Sequence, residues 1–376
     1  MIVKILLAVS VVLAIAASGV FYLKYRLDNA PDNKNLAAAI DAEIKKYPLQ
    51  GLVVGIYKDG KSFIKGYGTV SKDSSTVPDG STVFQLASVS KLFTASLLQI
   101  LCDEGVLTLD ATLGELLGGT YVLSPAAKQV TLRQLATHTS GFPSIPKPLE
   151  IAVSKLVKEE TLMQNPYSHL GAEYIVDYLK TTEDKHEPGR FEYSNYGMGL
   201  LGHVMEFVTK QDLAVLLAEK IFAPLNMTHT AINLTPAMQK NLAQGYTEKN
   251  EPTPMWTFSA LAGAGALNAN AEDMLTFIRT NIEDSHALSA VLKKTHAPQL
   301  GGITGIGWMQ PAFLDKFFGN KTIIWHNGMV GGYAAYVSVD SQNKTGLVVL
   351  SNKALDVTML GMMLTRQVRT QSWSEE

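Results

Sequence analysis

Cysteine occurs once in the 376 residues, at Cys102, so no internal disulfide holds the fold, and the apolar neighbours of that residue point to a buried thiol. Charge of one sign is not in excess either: 32 Lys and Arg stand against 34 Asp and Glu, a formal net charge of -2. A chain so balanced lacks the electrostatic footprint of a nucleic-acid binder, and it has no polybasic run for an anionic lipid surface. Neither partner is expected. No internal repeat or low-complexity tract is visible, and hydrophobic types at 46% against charged types at 18% exclude a disordered or collagen-like protein. His186, His203, His229, His286 and His296 show no His-x-x-x-His spacing with a nearby acid, so a metal site is not expected. What is present is apolar sequence enough for a large core, in two or three compact units of about 100 to 200 residues each.

Ile5 to Leu23 carries no charge and is bracketed by Lys4 on one side and by Lys24 and Arg26 on the other. As a helix it is about 28 Å long, near the hydrocarbon thickness of a bilayer. Two readings stand: an uncleaved membrane anchor, or a signal peptide cut near Ala14-Ile15-Ala16 or Ala17-Ser18-Gly19. Val20 to Leu23 prolong the run beyond both cleavage sites, which weighs toward the anchor. Cations on both flanks leave the orientation open. In either case the residues beyond about 28 are expected in the cell envelope, on its periplasmic or extracytoplasmic face, held at the membrane by residues 5–23 or released after cleavage.

Leu36 to Lys46 has helical spacing after the capping candidates Asp32 and Asn33, and Leu52–Tyr57, Asp59-Gly60 and Ser62–Tyr67 spell a hairpin. From about 86 to 300 the pattern is helical, with segments at 86–104, 131–137, 151–164, 171–180, 194–208, 211–222 and 271–283. Strand signals return at 305–309, Thr322–Asn327, Gly332–Asp340 and Thr345–Ser351, before a closing helix at about 354–370. Strands at both ends with helices between them predict an α/β (α+β) fold. One antiparallel sheet is assembled from both chain ends (about 35–85 and 300–370), with flanking helices and a large, mostly helical insert at about 105–300. Residues 1–27 stand apart as the anchor or signal, and 28–370 form the folded domain.

A serine hydroxyl becomes a nucleophile only when a base takes its proton, and a lysine does so only when burial or neighbouring cations keep it neutral. On a helix, residues three apart share a face, so Ser-x-x-Lys is workable there; on a strand the two point to opposite faces. Four such pairs occur: Ser62 with Lys65, Ser88 with Lys91, Ser144 with Lys147, and Ser341 with Lys344. The first lies on an expected strand, the third is interrupted by Pro146, and the last occupies a hairpin turn. Only Ser88-Val89-Ser90-Lys91 opens a helix, and its continuation LFTASLLQIL is apolar nearly all round. At that terminus the free backbone N–H groups and the helix dipole favour an alkoxide and lower the pKa of the lysine. The plain alternative is a serine N-cap followed by a surface lysine. Tyr193 and Asn195 form a Tyr-x-Asn at the start of another expected helix; the phenol suits proton transfer and the amide suits holding Lys91 and a substrate amide, with helix capping and core packing as the plain alternatives. Trp325-His326-Asn327-Gly328 lies on an expected strand. Gly328 lets a substrate lie along the strand, and the backbone N–H of Met329 pairs with that of Ser88 as an oxyanion hole. A lone strand histidine is otherwise a structural residue, and Trp256 and Trp308 are read as apolar core, with cleft lining as the alternative.

In the order Ser88-x-x-Lys91, Tyr193-x-Asn195, His326-x-Gly328, with FQLASVSKLFTA, LRQLATHTSGF, YSNYGMGLLGHVMEFVT, IFAPLNMTHT and HNGMVGGYAAYVSVD around and between the motifs, the chain resembles the serine hydrolases related to class C beta-lactamases and D-alanyl-D-alanine carboxypeptidases, over about Leu36 to Arg366. The resemblance implies a beta-lactamase/transpeptidase-like fold and an acyl-enzyme mechanism. It casts Ser88 as nucleophile, Lys91 and Tyr193 as the acid/base pair, and Asn195, His326 and Gly328 as substrate contacts, with no metal or cofactor. Substrates are then a D-alanyl peptide, ester or amide, small or derived from peptidoglycan; a penicillin- or peptidoglycan-binding sensor that is acylated without turnover, or a weak beta-lactamase, is the alternative. One departure matters: beta-lactamases of the family carry Lys-Thr-Gly where this chain has His326-Asn327-Gly328, and a neutral imidazole binds a carboxylate less strongly than a cation, with a contribution expected to vary with pH near neutrality. Lys344-Thr345-Gly346, which spells the lactamase triplet, and His169-Leu170-Gly171 are taken as chance, and His138 in Thr137–Gly141 is given a turn-stabilising part.

Overall fold

The computed structural model describes residues 36–147, 150–151, 165–168, 171–182, 185–311, 315–316 and 321–371. The apolar run 5–23, nearly all of the helix expected at 151–164, and His169 lie outside the described residues; among those described, no helix is long and apolar enough to cross a membrane.

The chain ends do build one sheet. Strands β1 (Gly51–Lys58) and β2 (Lys61–Gly68) pair antiparallel through a turn in which Asp59 and Gly60 take φ of 50° and 82°, the two positive values that a tight type I′ hairpin demands. A short pair, β3 (Phe84–Gln85) with β4 (Asn268–Ala269), forms separately. Strands β5 (Ile324–Val330), β6 (Tyr333–Asp340) and β7 (Thr345–Ser351) complete a five-stranded antiparallel sheet in the order β2-β1-β7-β6-β5. The first and last thirds of the chain meet where β1 pairs with β7, with Val54 opposite Val349.

Side chains alternate across each strand, and the two faces take different partners. Leu52, Val54, Ile56, Leu347 and Val349 pack against α1 (Leu36–Ile44) and the closing helix Thr358–Thr370, through Leu36, Ile40, Leu360 and Leu364. Each such side chain stabilises by about 1.5 to 3 kcal/mol when fully buried. Val53, Tyr57, Val337, Val339, Val348 and Leu350 face the helical body instead, where α2 (Ser90–Asp103) is buried from Ser90 to Leu101. Phe93 of α2 lies 4.3 Å, centroid to centroid, from Phe277 of the helix Ala271–Ile282. Because both faces of β7 are covered, it reads as an unbroken apolar run. β5 is an edge strand.

Two expectations need correction. Residues 305–309 are not a strand: Gly307 takes φ of 78°, Thr304 and Met309 form one isolated bridge, and Trp308 is fully buried with Nε1 donating to Thr295 Oγ1 at 3.1 Å. The apolar run is an irregular buried segment whose glycines break the extended path. Cys102 is half-buried, and burial raises its thiol to about 11.

Candidate active site

β3 delivers the chain to the start of α2. Leu86 N–H donates to Leu267 O at 2.8 Å, Ala87 is held at a φ of 49°, and a short 3-10 turn, Ala87–Val89, leads into the helix. A left-handed alanine costs on the order of 1 kcal/mol. The hydroxyl of Ser88 caps nothing: neither the 3-10 turn nor α2 has a side-chain cap, and Ser90 Oγ is engaged by Leu267 N–H at 3.0 Å. The plain reading of Ser88 as an N-cap therefore fails. Its flanking residues are buried while Ser88 itself is partly exposed.

Lys91, one turn on, has no exposed surface. Its Nζ lies 2.9 Å from Ser88 Oγ, 2.8 Å from Asn195 Oδ1 and 2.6 Å from the carbonyl of Ala264. Burial drives its pKa well below the ordinary lysine value, and no carboxylate is among these partners to restore it. All three partners can accept a hydrogen bond from Nζ, and the amide and carbonyl oxygens can only accept.

Tyr193 and Asn195 arrive on the far side through α3 (Asn195–Thr209). The cap of this helix is Ser194, not Asn195: its Oγ accepts Gly197 N–H at 2.8 Å, which frees the Asn195 side chain for the site. Asn195 Nδ2 donates to Ser144 Oγ and to the Tyr167 hydroxyl, each at 3.2 Å. The ring of Tyr193 has Lys91 Nζ 4.9 Å from its centroid, and its phenol is hydrogen-bonded to Ser88. Burial outweighs that bond and raises the phenol above its usual range, so the resting site holds a phenol and not a tyrosinate. His138 backs it, ring centroids 4.5 Å apart.

His326, Gly328 and Met329 lie on β5. A Cβ on Gly328 would come within 2.6 Å of Ser88 N and 2.7 Å of Leu86 O, so only glycine lets the strand approach the nucleophile turn this closely. Trp325 exchanges both main-chain hydrogen bonds with Met309 on the side of β5 away from β6. By the two-residue period, the N–H of Met329 points to that same open side. His326 is 1% exposed, its ring 6.3 Å from that of Tyr193. Its Nδ1 sits 2.6 Å from the Asn327 carbonyl, which only accepts, so Nδ1 carries the proton and Nε2, buried without a protein partner, presents a lone pair. Burial, then Lys91, lowers its pKa to about 3, against a small opposing pull from the Asn327 bond. The expected pH dependence near neutrality is corrected by this burial: the imidazole stays neutral there.

All of the sequence-nominated site residues converge here. Lys344-Thr345-Gly346 does not, for Thr345 and Gly346 open the central strand β7 and a Cβ on Gly346 would strike Ile278. Lys65 pairs with Asp41 on the surface, and Ser341 Oγ donates to Asn281 O. Two participants, Ser144 and Tyr167, were not recognised in the sequence, and two more, His138 and Trp256, were given plainer parts there. Ser144, set aside with its Ser-x-x-Lys pair, receives Asn195. Tyr167 carries no motif. His138 was treated as a turn residue: it does take φ of 57°, but it also accepts Ser194 N–H at Nδ1 and stacks on Tyr193. Trp256 is not core but a half-buried wall residue tied through its backbone to both ends of the Gln85 amide.

The beta-lactamase family model matches residues 36–365. The chain belongs to the beta-lactamase family. It is 25% identical over 351 residues to a beta-lactamase of Lysobacter lactamgenus, covering 84% of this chain and 86% of that one. Against Protein flp of Staphylococcus aureus it is 26% identical over 339 residues, 87% of this chain but only 64% of the relative, so it spans less than two-thirds of that protein's length. In fold it is similar to the beta-lactamase/D-alanine carboxypeptidase of Pseudomonas syringae, with a TM-score of 0.76, 22% identity, and coverage of 90% and 99% of the two chains. This family member is thus a hydrolase of mixed α/β, beta-lactamase-like architecture.

Proposed function

We propose that the protein is a serine hydrolase that works through an acyl-enzyme on a D-alanyl peptide, ester or amide outside the cytoplasmic membrane. The observation that carries this reading is the 2.9 Å approach of Lys91 Nζ, buried and with its pKa driven below the ordinary lysine value, to Ser88 Oγ. Ser88 gives its proton to Lys91 Nζ as Oγ bonds to the substrate carbonyl carbon. The developing oxyanion sits between the N–H groups of Ser88 and Met329. Lys91, now an ammonium in a site that disfavours charge, returns the proton through the Tyr193 phenol to the leaving oxygen or nitrogen as its bond to carbon breaks. A water, deprotonated along the same path, then attacks the ester carbon and frees Ser88.

The test is covalent labelling by a fluorophosphonate or a fluorescent penicillin. Wild-type chain labels at Ser88 and Ser88→Ala does not; persistent labelling in the variant sinks the assignment. A burst of acylation with no product release would make the protein a sensor and not a catalyst. The extracytoplasmic placement is tested separately by a reporter fused after Arg26, which must be exported.

A further inference from the structure

Ser88 and Lys91 ride on helical turns, but Tyr193 lies in the irregular stretch just before α3, one residue ahead of the Ser194 cap. Its place must come from its neighbours, and His138 meets it from three sides. The His138 carbonyl accepts Glu192 N–H at 2.8 Å and the ring Nδ1 accepts Ser194 N–H at 3.1 Å, so one residue grips the main chain immediately before and immediately after the tyrosine. The imidazole also lies against the phenol ring, centroids 4.5 Å apart at an interplanar angle of 35°, while Phe191 meets the imidazole edge-on at 6.0 Å. The loop that carries His138 is itself anchored: Thr137 Oγ1 donates to Arg133 O at 2.8 Å and Thr139 N–H to Gln134 O at 2.9 Å.

Stabilising a turn does not account for an imidazole here. His138 takes φ of 57°, a conformation that glycine or asparagine adopts with less strain. Because Nδ1 accepts, the proton of the neutral ring sits on Nε2, which is buried and has no hydrogen-bond partner among the described residues. Burial, then Lys91 and His326, hold its pKa well below the ordinary histidine value, so the ring takes up no second proton at neutral pH. A strained backbone and an orphaned N–H in one residue both work against stability, and such features gather where function needs the geometry. What imidazole has and asparagine or glycine lacks is a flat face, and that face backs the phenol hydrogen-bonded to Ser88.

We propose that His138 is a positioning residue that holds the Tyr193 phenol on Ser88, acting through the tyrosine and moving no proton itself. The inference rests on the acyl-enzyme reading and adds a residue to its machinery. The experiment uses the full-length chain in four forms: wild type, His138→Asn, Tyr193→Phe and the double variant. Asparagine tolerates the positive φ and offers Oδ1 as an acceptor for Ser194 N–H, so His138→Asn removes the backing ring and keeps the main-chain grip. Hydrolysis of the ethyl ester of N-benzoyl-D-alanine, whose ethoxide leaves poorly without a proton, is measured per fluorophosphonate-labelled Ser88, so that unfolded protein is not counted. His138→Asn should lower kcat/KM by at least about tenfold when Tyr193 is present and by less than about twofold in the Tyr193→Phe background. If the wild type is acylated without turnover, the rate of fluorophosphonate labelling takes the place of kcat/KM in the same cycle. Equal losses in both backgrounds, or no loss in either, overturn the proposal while leaving the nucleophile and the proton path intact. A Tyr193→Phe variant as fast as wild type, or a wild-type chain that the fluorophosphonate does not label, means that the parent reading has failed, and the part given to His138 falls with it.

Discussion

At Thr131 a hydroxyl accepts the N–H of Gln134 while the Gln134 side chain accepts the N–H of Thr131, so the helix Leu132–Ala136 begins with two of its orphan donors satisfied. At Ser88 the chain enters a longer helix through a left-handed alanine and a 3-10 turn, with no side-chain cap and the serine oxygen turned instead toward a lysine. Both starts carry a hydroxyl residue before an apolar run, and from a single sequence they look alike. The first spends its hydroxyl on stability. The second leaves it free and accepts strain at Ala87, a buried amine and, nearby, buried nitrogens of His138 and His326 without protein partners.

Exchanging the two roles by mutation tests the contrast, and the largest effect is expected at Ser88. Ser88→Ala should lower turnover by about six orders of magnitude while leaving thermal stability nearly unchanged, since no cap is lost. A large fall in Tm for Ser88→Ala would mean that the hydroxyl is structural after all. Lys91→Met should cost about two to four orders of magnitude in rate, measured on any ester the wild type hydrolyses; near-normal turnover would refute the proton path.

The same variant sharpens the comparison through pH. With its pKa lowered in the fold, Lys91 binds fewer protons folded than unfolded, so its contribution to stability rises with pH from the depressed value up to the ordinary lysine value near 10.4. Methionine has no such dependence. The Tm of Lys91→Met relative to wild type should therefore fall as pH is raised from 6 to 9, and a constant difference would show that the amine is charged in the fold. The smallest effect is expected at the other helix start. Thr131→Ala should lose about 1 kcal/mol of stability with kcat/KM unchanged, read by urea unfolding and by ester hydrolysis on one preparation.

Local patterns were legible where their cause is local. The β1–β2 hairpin follows from Asp59-Gly60, α2 from a long apolar run without Gly or Pro, and β7 from a continuous apolar stretch between turns. The segment 305–309 was misread because a short apolar run has the same composition whether it pairs as a strand or lies irregularly in the core. Ser144 and Tyr167 escaped notice for another reason: their part depends on where the Asn195 amide ends, 51 and 28 residues away along the chain. The protonation of His326 was misjudged because exposure, which sets it, is a property of the packed cleft.

By itself the sequence determined the chemical parts and their order, because serine, lysine, tyrosine and asparagine carry their reactivity with them and helical spacing is set by backbone geometry. It also determined that both chain ends share one sheet, since strand patterns frame a helical middle. Only the tertiary structure decided which of four Ser-x-x-Lys pairs is assembled, that burial lowers the pKa of Lys91, and that His326 turns a lone pair toward its surroundings. Charge state and hydrogen-bond polarity depend on the solvent each group loses and the partners it gains, and those come from residues far away in the chain.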